Sequence, residues 1–510
     1  MNETFPNGGR GSHELIEPLL VRFFPGGVPA AHIAGTWQQG ARRIETLDPS
    51  TGTVTTTVPN CTADEVSQAV DAAARAQRAW LALPLAERID HLQEFAVMLA
   101  SAGEDLALLE SIDTGNPIRA TRRDVTLGLK YLREWPAHAL TLAGRATQPF
   151  ADGLSYTVRR PYGVVGRIVA YNHPSLFTVA GMIHPLLAGN TIVVKASEQT
   201  PLATLALGAI AEASLPPGVL NLISGGAESG DALATSPQIK RVSFVGSGRT
   251  ACVIQSRLSQ SGFVKHFTAE LGGKNAMIVC EDVDLDEAAD AAIAGMSFRI
   301  SQGQSCQSTS RILVHESIHD AFVSRMADRM RVLTIGASYD ESFDLGPVVS
   351  AEQLRHIESF LGSALPAGAK VVVGGRRPPG CPQGGFYLEP TLVVGAPQGS
   401  RILQEEIFGP VVTVQVWSDE AEALALANAS ELGLSAAIWS RDIDRALRLA
   451  HGVEAGYVWV NDANRHYAGA PFGGVKRSGV GREESVEELL SYSELTAVNI
   501  RIAPIKGSSR

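Results

Sequence analysis

Cysteine is scarce and scattered: the chain has five, Cys61, Cys252, Cys280, Cys306 and Cys381, among 510 residues. An odd number at wide spacing builds no disulfide framework and points to a reducing, cytoplasmic compartment. The 12 histidines are scattered and CxxC is absent, so no metal centre is expected. A block of basic residues is missing too. Lys and Arg number 43 against 53 Asp and Glu, a net charge of −10, which leaves no electrostatic footprint for nucleic acid. The most apolar stretch, 176–196, is broken by His184, Pro185, Gly189, Asn190 and Lys195, so no membrane span is expected. The first residues, MNETFPNGGRGSHELIEP, lack a basic start followed by an apolar core, and no signal peptide is expected.

What is present is an ordinary globular balance, 45% hydrophobic and 19% charged, in a length that suggests roughly three domains. Residues 1–45 read as a loose arm. Thr62-Ala63-Asp64-Glu65 is a capping-box signature opening a helix to about Leu81, and a second helix runs from about Pro84 to Glu104. Short β-branched runs then alternate with helical stretches: VVGRIVAY, TIVVKA, GVLNLISG, RVSFVG and AMIVCED. The pattern restarts with RILVHE, KVVVGG and AAIWS. Such alternation predicts an α/β fold with mostly parallel sheets. The tail SELTAVNIRI alternates like an edge strand free to pair with another subunit.

Two local patterns bear on chemistry. After the strand RVSFV, Gly246-Ser247-Gly248-Arg249-Thr250-Ala251 fits a Rossmann-like GxGxxG/A turn, with the helix N-terminus set for a pyrophosphate. A plain tight turn would explain it as well. The fingerprint expects an acid about 20 positions later on the ribose, and Glu270 sits near that distance. Cys306 lies in SQGQSCQSTSR, among small polar residues that would leave a thiol reachable, although a lone cysteine is commonly an inert buried one.

Seven stretches occur in order: AYNHP (170–174), KASEQTP (195–201), FVGSGRTA (244–251), ELGGKNAMIV (270–279), GQSCQSTSR (303–311), EEIFGPV (405–411) and PFGGVKRSGVGRE (471–483). Together they resemble the aldehyde dehydrogenase superfamily, from about Leu47 to Asn499. The resemblance implies a Rossmann-like cofactor-binding domain (20–141 and 162–272), an α/β catalytic domain (273–480) and a small β oligomerisation domain (142–161 and 488–504) in a homodimer or homotetramer. It implies oxidation of an aldehyde to a carboxylate with NAD, or with NADP, through a thiohemiacetal and a thioester. The alternative is a CoA-acylating relative.

On that resemblance Cys306 is the nucleophile, Asn172 an oxyanion donor, and Glu270 the base that activates water rather than a ribose ligand. Lys195 and Glu198 resemble the adenosine-ribose pair, although alone they read better as a solvated i,i+3 ion pair. A carboxylate there favours NAD, while Arg249 nearby could relax the preference. Gly246 and Ser247 would meet the pyrophosphate, and Glu406 and Phe408 the nicotinamide riboside. The substrate pocket is assigned to His173, Phe177, Ser305, Gln307 and Phe472. Where the family has PWNFP this chain has AYNHP, and a frequent Trp is Ala180. With His466-Tyr467 ahead of PFGG, these departures suggest a roomier, more polar tunnel and a medium-to-large polar or aromatic aldehyde.

Overall fold

The structure, a computed structural model, describes residues 11–150 and 152–502. Its core holds two sheets, each fed by runs apolar on both faces, as strands covered by helices on two sides require. The first sheet runs, edge to edge, Thr36–Gln38, Ala31–Ile33, Leu220–Ile223, Thr191–Lys195, Val164–Ile168, Ile239–Val245, His266–Glu270 and Gly479–Val480. Its five central strands are parallel, and only the flanking strands run antiparallel. The chain builds from Val164–Ile168 outward to one side, then returns to place Ile239–Val245 on the other. The carboxyl ends of these two strands are therefore a topological switch point, where α/β sheets take their ligands.

The second sheet is ordered Lys370–Val373, Thr391–Val394, Val411–Trp417, Arg311–His315, Ala276–Val279, Ser435–Trp439 and Tyr457–Val460. It is parallel except for its first strand. A third, antiparallel sheet joins Ser493–Arg501 to Gly153–Pro161 in register from Ser493↔Pro161 to Arg501↔Gly153, with Ala146–Phe150 beyond. Ser493–Arg501 lies at the edge of that sheet. Residues 151, 503 and 504 of the expected oligomerisation segments lie outside the described residues, as do residues 1–10 of the expected arm.

Two expectations are corrected. Residues 11–45 are not a loose arm: Ser12–Phe23 is a helix that buries Ile16, Leu19, Leu20 and Phe23, and Ala31–Ile33 is a strand of the first sheet. The apolar spacing i, i+3, i+4, i+7 is what drives that helix onto the core. The second helix does not stop near Glu104 but continues to Thr114, where Gly115 ends it in a left-handed cap. Its last turns are buried on all sides, so they lose the amphipathic rhythm. The capping box at Thr62 forms as read, with Thr62 and Glu65 exchanging side chain-to-backbone bonds. No helix among the described residues is long and apolar enough to cross a membrane.

Candidate active site

Cys306 sits on a tight loop between the short helix Phe298–Ser301 and the strand Arg311–His315. The loop turns through left-handed backbone at Gln302 (φ 53°) and Gly303 (φ 75°). A Cβ on Gly303 would come within 2.3 Å of the Gly409 carbonyl, so the GQSC and FGP segments meet only through glycine. Asn275 holds the loop from below, its Nδ2 donating to the carbonyls of Cys306 (2.7 Å) and Ser308 (3.0 Å). Asn172 holds it from the side, donating from Nδ2 to the Gln304 carbonyl at 3.0 Å. The carbonyl of Asn172 itself accepts from Asn116 Nδ2 at 2.7 Å.

Two cavities meet here. One, of about 850 Å³, lies beyond the carboxyl ends of the first sheet. Lys195, Glu198, Gly246, Ser247, Glu406, Phe408 and Asn172 line it, with Arg249. Lys195 Nζ bonds Glu198 Oε2 at 3.1 Å. Ser247 caps the helix Gly248–Leu258 by accepting from the Thr250 N–H, so this helix points its N-terminus into the cleft. Glu406 accepts from the Gly273 N–H at 3.1 Å, and a Cβ on Gly272 would fall 1.9 Å from its Oε2. The Gly272-Gly273 pair is thus what lets this carboxylate in. Burial pushes Glu406 up to about 7.

The second cavity, of about 110 Å³, is lined by His173, Phe177, Ser305, Gln307 and Phe472, all five predicted pocket residues, with Ala180 and His466. Cys306, Glu270, Phe177 and Val245 line both cavities. Glu270 ends the strand His266–Glu270, and neither of its carboxyl oxygens has a protein partner. Burial, reinforced by Glu483, raises it well above the usual carboxylate range. Burial also pushes the Cys306 thiol up to about 12, helped by Glu406 and Glu270 and opposed by the N–H groups of Gln307 and Cys306. In this state the sulfur is a thiol, with a buried carboxyl facing the same cavities.

The small cavity is lined by pairs that the sequence did not reveal. Arg167, 1% exposed, forks onto Glu483 with bonds of 2.8 and 3.2 Å. His173 Nδ1 meets Asp124 at 2.6 Å; burial lowers this imidazole, but the Asp124 carboxylate outweighs it and the net shift is upward. His466 stands between Glu484 (2.7 Å from Nδ1) and Gln307 Oε1 (2.7 Å from Nε2). The proton on Nε2 follows from the chain behind it. Asn464 Nδ2 donates to the Ala294 carbonyl, so its Oδ1 accepts from the Gln307 amide nitrogen. Gln307 is left with only its oxygen for His466, whose Nε2 must carry the hydrogen. Asn275, Arg167, Asp124 and Glu484 were missed in the sequence. Arginine inside the buried strand VVGRI was the available signal, since such a charge requires a partner.

Three departures from expectation concern the tunnel. Ala170 and Tyr171 line the large cleft rather than the small cavity, with Tyr171 edge-on to Phe408 at 5.6 Å. Tyr467 points away, its hydroxyl on Asp462 at 2.5 Å. The cavity is neither roomy nor mainly polar: Tyr131 and Trp135, stacked at 4.2 Å, line it together with Leu127, Leu176 and Ala180, and its exposed wall is mostly apolar.

Comparison with known proteins places the chain in a family. The family model "Aldehyde dehydrogenase family" matches residues 37–498. Aldehyde dehydrogenase tropH of Talaromyces stipitatus is 38% identical over 478 residues, covering 92% of each chain. The NAD+ complex of an aldehyde dehydrogenase from Bacillus cereus superposes with a TM-score of 0.90 at 33% identity, covering 95% of this chain and 98% of that one. Betaine aldehyde dehydrogenase from Staphylococcus aureus, also with NAD+, gives 0.91 at 33%, covering 96% and 97%.

Proposed function

The chain belongs to the aldehyde dehydrogenase family, and we propose that Cys306 is the nucleophile with which it oxidises aldehydes to carboxylates. It is an NAD-dependent oxidoreductase. The 850 Å³ cleft suits a dinucleotide: a helix N-terminus faces into it, and Lys195-Glu198 and Glu406 lie along its wall. Lys195 and Glu198 would hold the adenosine ribose, Gly246 and Ser247 the pyrophosphate, and Glu406 and Phe408 the nicotinamide riboside. When bound, NAD supplies the hydride acceptor and a positive ring charge that favours the Cys306 thiolate.

The thiolate sulfur bonds to the aldehyde carbon, and the oxygen takes the electron pair. The second N–H of the Asn172 amide, the first being spent on Gln304, and the backbone N–H of Cys306 stabilise that charge. Loss of hydride from the same carbon leaves a thioester on Cys306. Glu270, once unprotonated, takes a proton from water, which attacks the acyl carbon and releases the carboxylate and the thiol. Support for this reading comes from one observation above all: Cys306 and Glu270 line both cavities, so sulfur and base stand where substrate and cofactor would meet.

The substrate side suggests a medium-to-large aldehyde carrying a polar or aromatic group, since His173 and Phe177 line the cavity together. An aldehyde panel with NAD, scored for NADH at 340 nm and for carboxylate with and without CoA, tests the reading. One carboxylate per NADH regardless of CoA is expected. A higher kcat/KM for acetaldehyde than for every aromatic or hydroxylated aldehyde would reject the substrate class. The enzyme is further proposed to be a cytoplasmic homodimer or homotetramer, supported by its free cysteines and the edge position of Ser493–Arg501. Light scattering on the purified protein measures the assembly.

A further inference from the structure

The inner cavity of about 110 Å³ is near the size of the ~150 Å³ engineered cavity that holds one benzene. A larger aldehyde has to extend out of it. A further cavity of about 790 Å³ adjoins it, sharing Arg123, Ser297, Ile300 and Asn464. This outer cavity is lined by four arginines, Arg123, Arg299, Arg329 and Arg465, and one acid, Asp290. Two of the arginines are neutralised: Arg299 pairs with Asp344, and Arg329 with Asp286 and Asp290. Arg123 and Arg465 have no ion pair among the described residues, and the Arg465 guanidinium rests over the Tyr467 ring at 5.2 Å. Of the five carboxyl groups lining the inner cavity, four already have their own cation or imidazole: Glu483 with Arg167, Asp124 with His173, Glu484 with His466, Glu488 with His184. The fifth, Glu270, has no partner, and burial holds it toward its neutral form. The positive charge at the mouth is therefore not offset from inside.

Resting on the reading of Cys306 as an aldehyde-oxidising nucleophile, we infer that the aldehyde this enzyme is built for carries a carboxylate at the end remote from its formyl group, bound by Arg123 and Arg465. A protein of net charge −10 repels such an anion at long range, so recognition needs a local, unneutralised pair of arginines. The guanidinium fork suits a carboxylate, and its exposed setting places the contact on the tail while Cys306 takes the formyl carbon. The product is then a dicarboxylate.

The test compares 4-carboxybenzaldehyde with its neutral isostere 4-carbamoylbenzaldehyde, in the wild-type enzyme and in the double variant R123Q/R465Q. Both arginines are exposed, so the variant should fold. Wild type should favour the carboxylate at least tenfold in kcat/KM, mainly through KM, and the double variant should lower that ratio at least tenfold. A wild-type ratio near one, or a ratio the variant leaves unchanged, overturns the inference. Calorimetric binding of terephthalate, the dicarboxylate product, supplies a readout independent of turnover, with Kd expected to rise at least tenfold in the variant. If wild type forms no NADH with either aldehyde, the Cys306 reading fails. The terephthalate titration still decides the arginines, and equal Kd values reject them.

Discussion

The cavity on the substrate side and the cleft on the cofactor side share Cys306 and Glu270 but organise their polar groups in opposite ways. Around the small cavity, charges are matched by partners far away in the chain: Arg167 with Glu483 across 316 positions, His184 with Glu488 across 304. Along the large cleft the contacts around Lys195 and Ser247 are local, whereas Glu406 is held by the Gly273 N–H 133 positions away. Lys195 meets Glu198 three positions on, and Ser247 caps its own helix at Thr250. A dinucleotide is held by short backbone motifs that any sheet can carry. A specific aldehyde is selected by a wall whose shape depends on the whole fold.

The largest effect should come at the point the two sides share. Cys306→Ala is expected to lower NADH formation by ~10⁴-fold or more, read at 340 nm, because no other group supplies the bond to carbon. Activity surviving in that variant would end the comparison, since the cavities would then meet at nothing reactive. Glu270→Gln should reduce steady turnover by ~10²–10⁴-fold while leaving one rapid burst of NADH before the acyl-enzyme accumulates. The pH dependence has a definite sign. Glu270 must lose its proton to act as base and its pKa is raised, so deacylation should increase as pH rises through that raised value.

Stability carries the opposite slope. The folded protein holds the Glu270 proton more tightly than the unfolded chain, whose glutamate titrates near the ordinary 4.5. The stabilisation this gives is complete below about 4.5 and is lost as pH rises toward the raised folded value. Glu270→Gln has no proton to lose, so its advantage in melting temperature over wild type should widen with pH through that window. An advantage that stays constant with pH would contradict the assigned burial.

On the substrate side alone, Arg167→Met leaves Glu483 buried without its cation and should cost about 3–5 kcal/mol in urea unfolding. The double variant R167M/E483Q should recover much of that. Failure to recover would mean the pair is not what holds this wall. On the cofactor side, the smallest effect is expected at Glu198, whose side chain is 50% exposed. Glu198→Gln should shift the NAD-to-NADP ratio of kcat/KM by ~10-fold toward NADP, about 1.4 kcal/mol.

The same contrast explains what could be read in the sequence. The parallel strands were legible because runs such as TIVV and AMIV are apolar or nearly so on both faces, and the cofactor-side residues because they sit in contiguous motifs. His173 and Gln307 could be named for the pocket, but Asp124 and His466 could not be joined to them. Nothing in a linear sequence sets a partner 49 or 159 positions away. The helix Ser12–Phe23 was a different kind of miss. Its four buried apolar residues keep helical spacing, and the flanking glycines and prolines obscured the pattern.

The strand Gly479–Val480, which lies beside the one ending in Glu270, has a bearing on how the protein is made. Until those two residues leave the ribosome, the Glu270 strand is an unpaired edge, and Arg167 waits for a carboxylate not yet synthesised. Nascent chains that stall short of this point cannot assemble the thiol's surroundings. Completion of the wall that carries Glu270 is therefore tied to synthesis of residues 479–483.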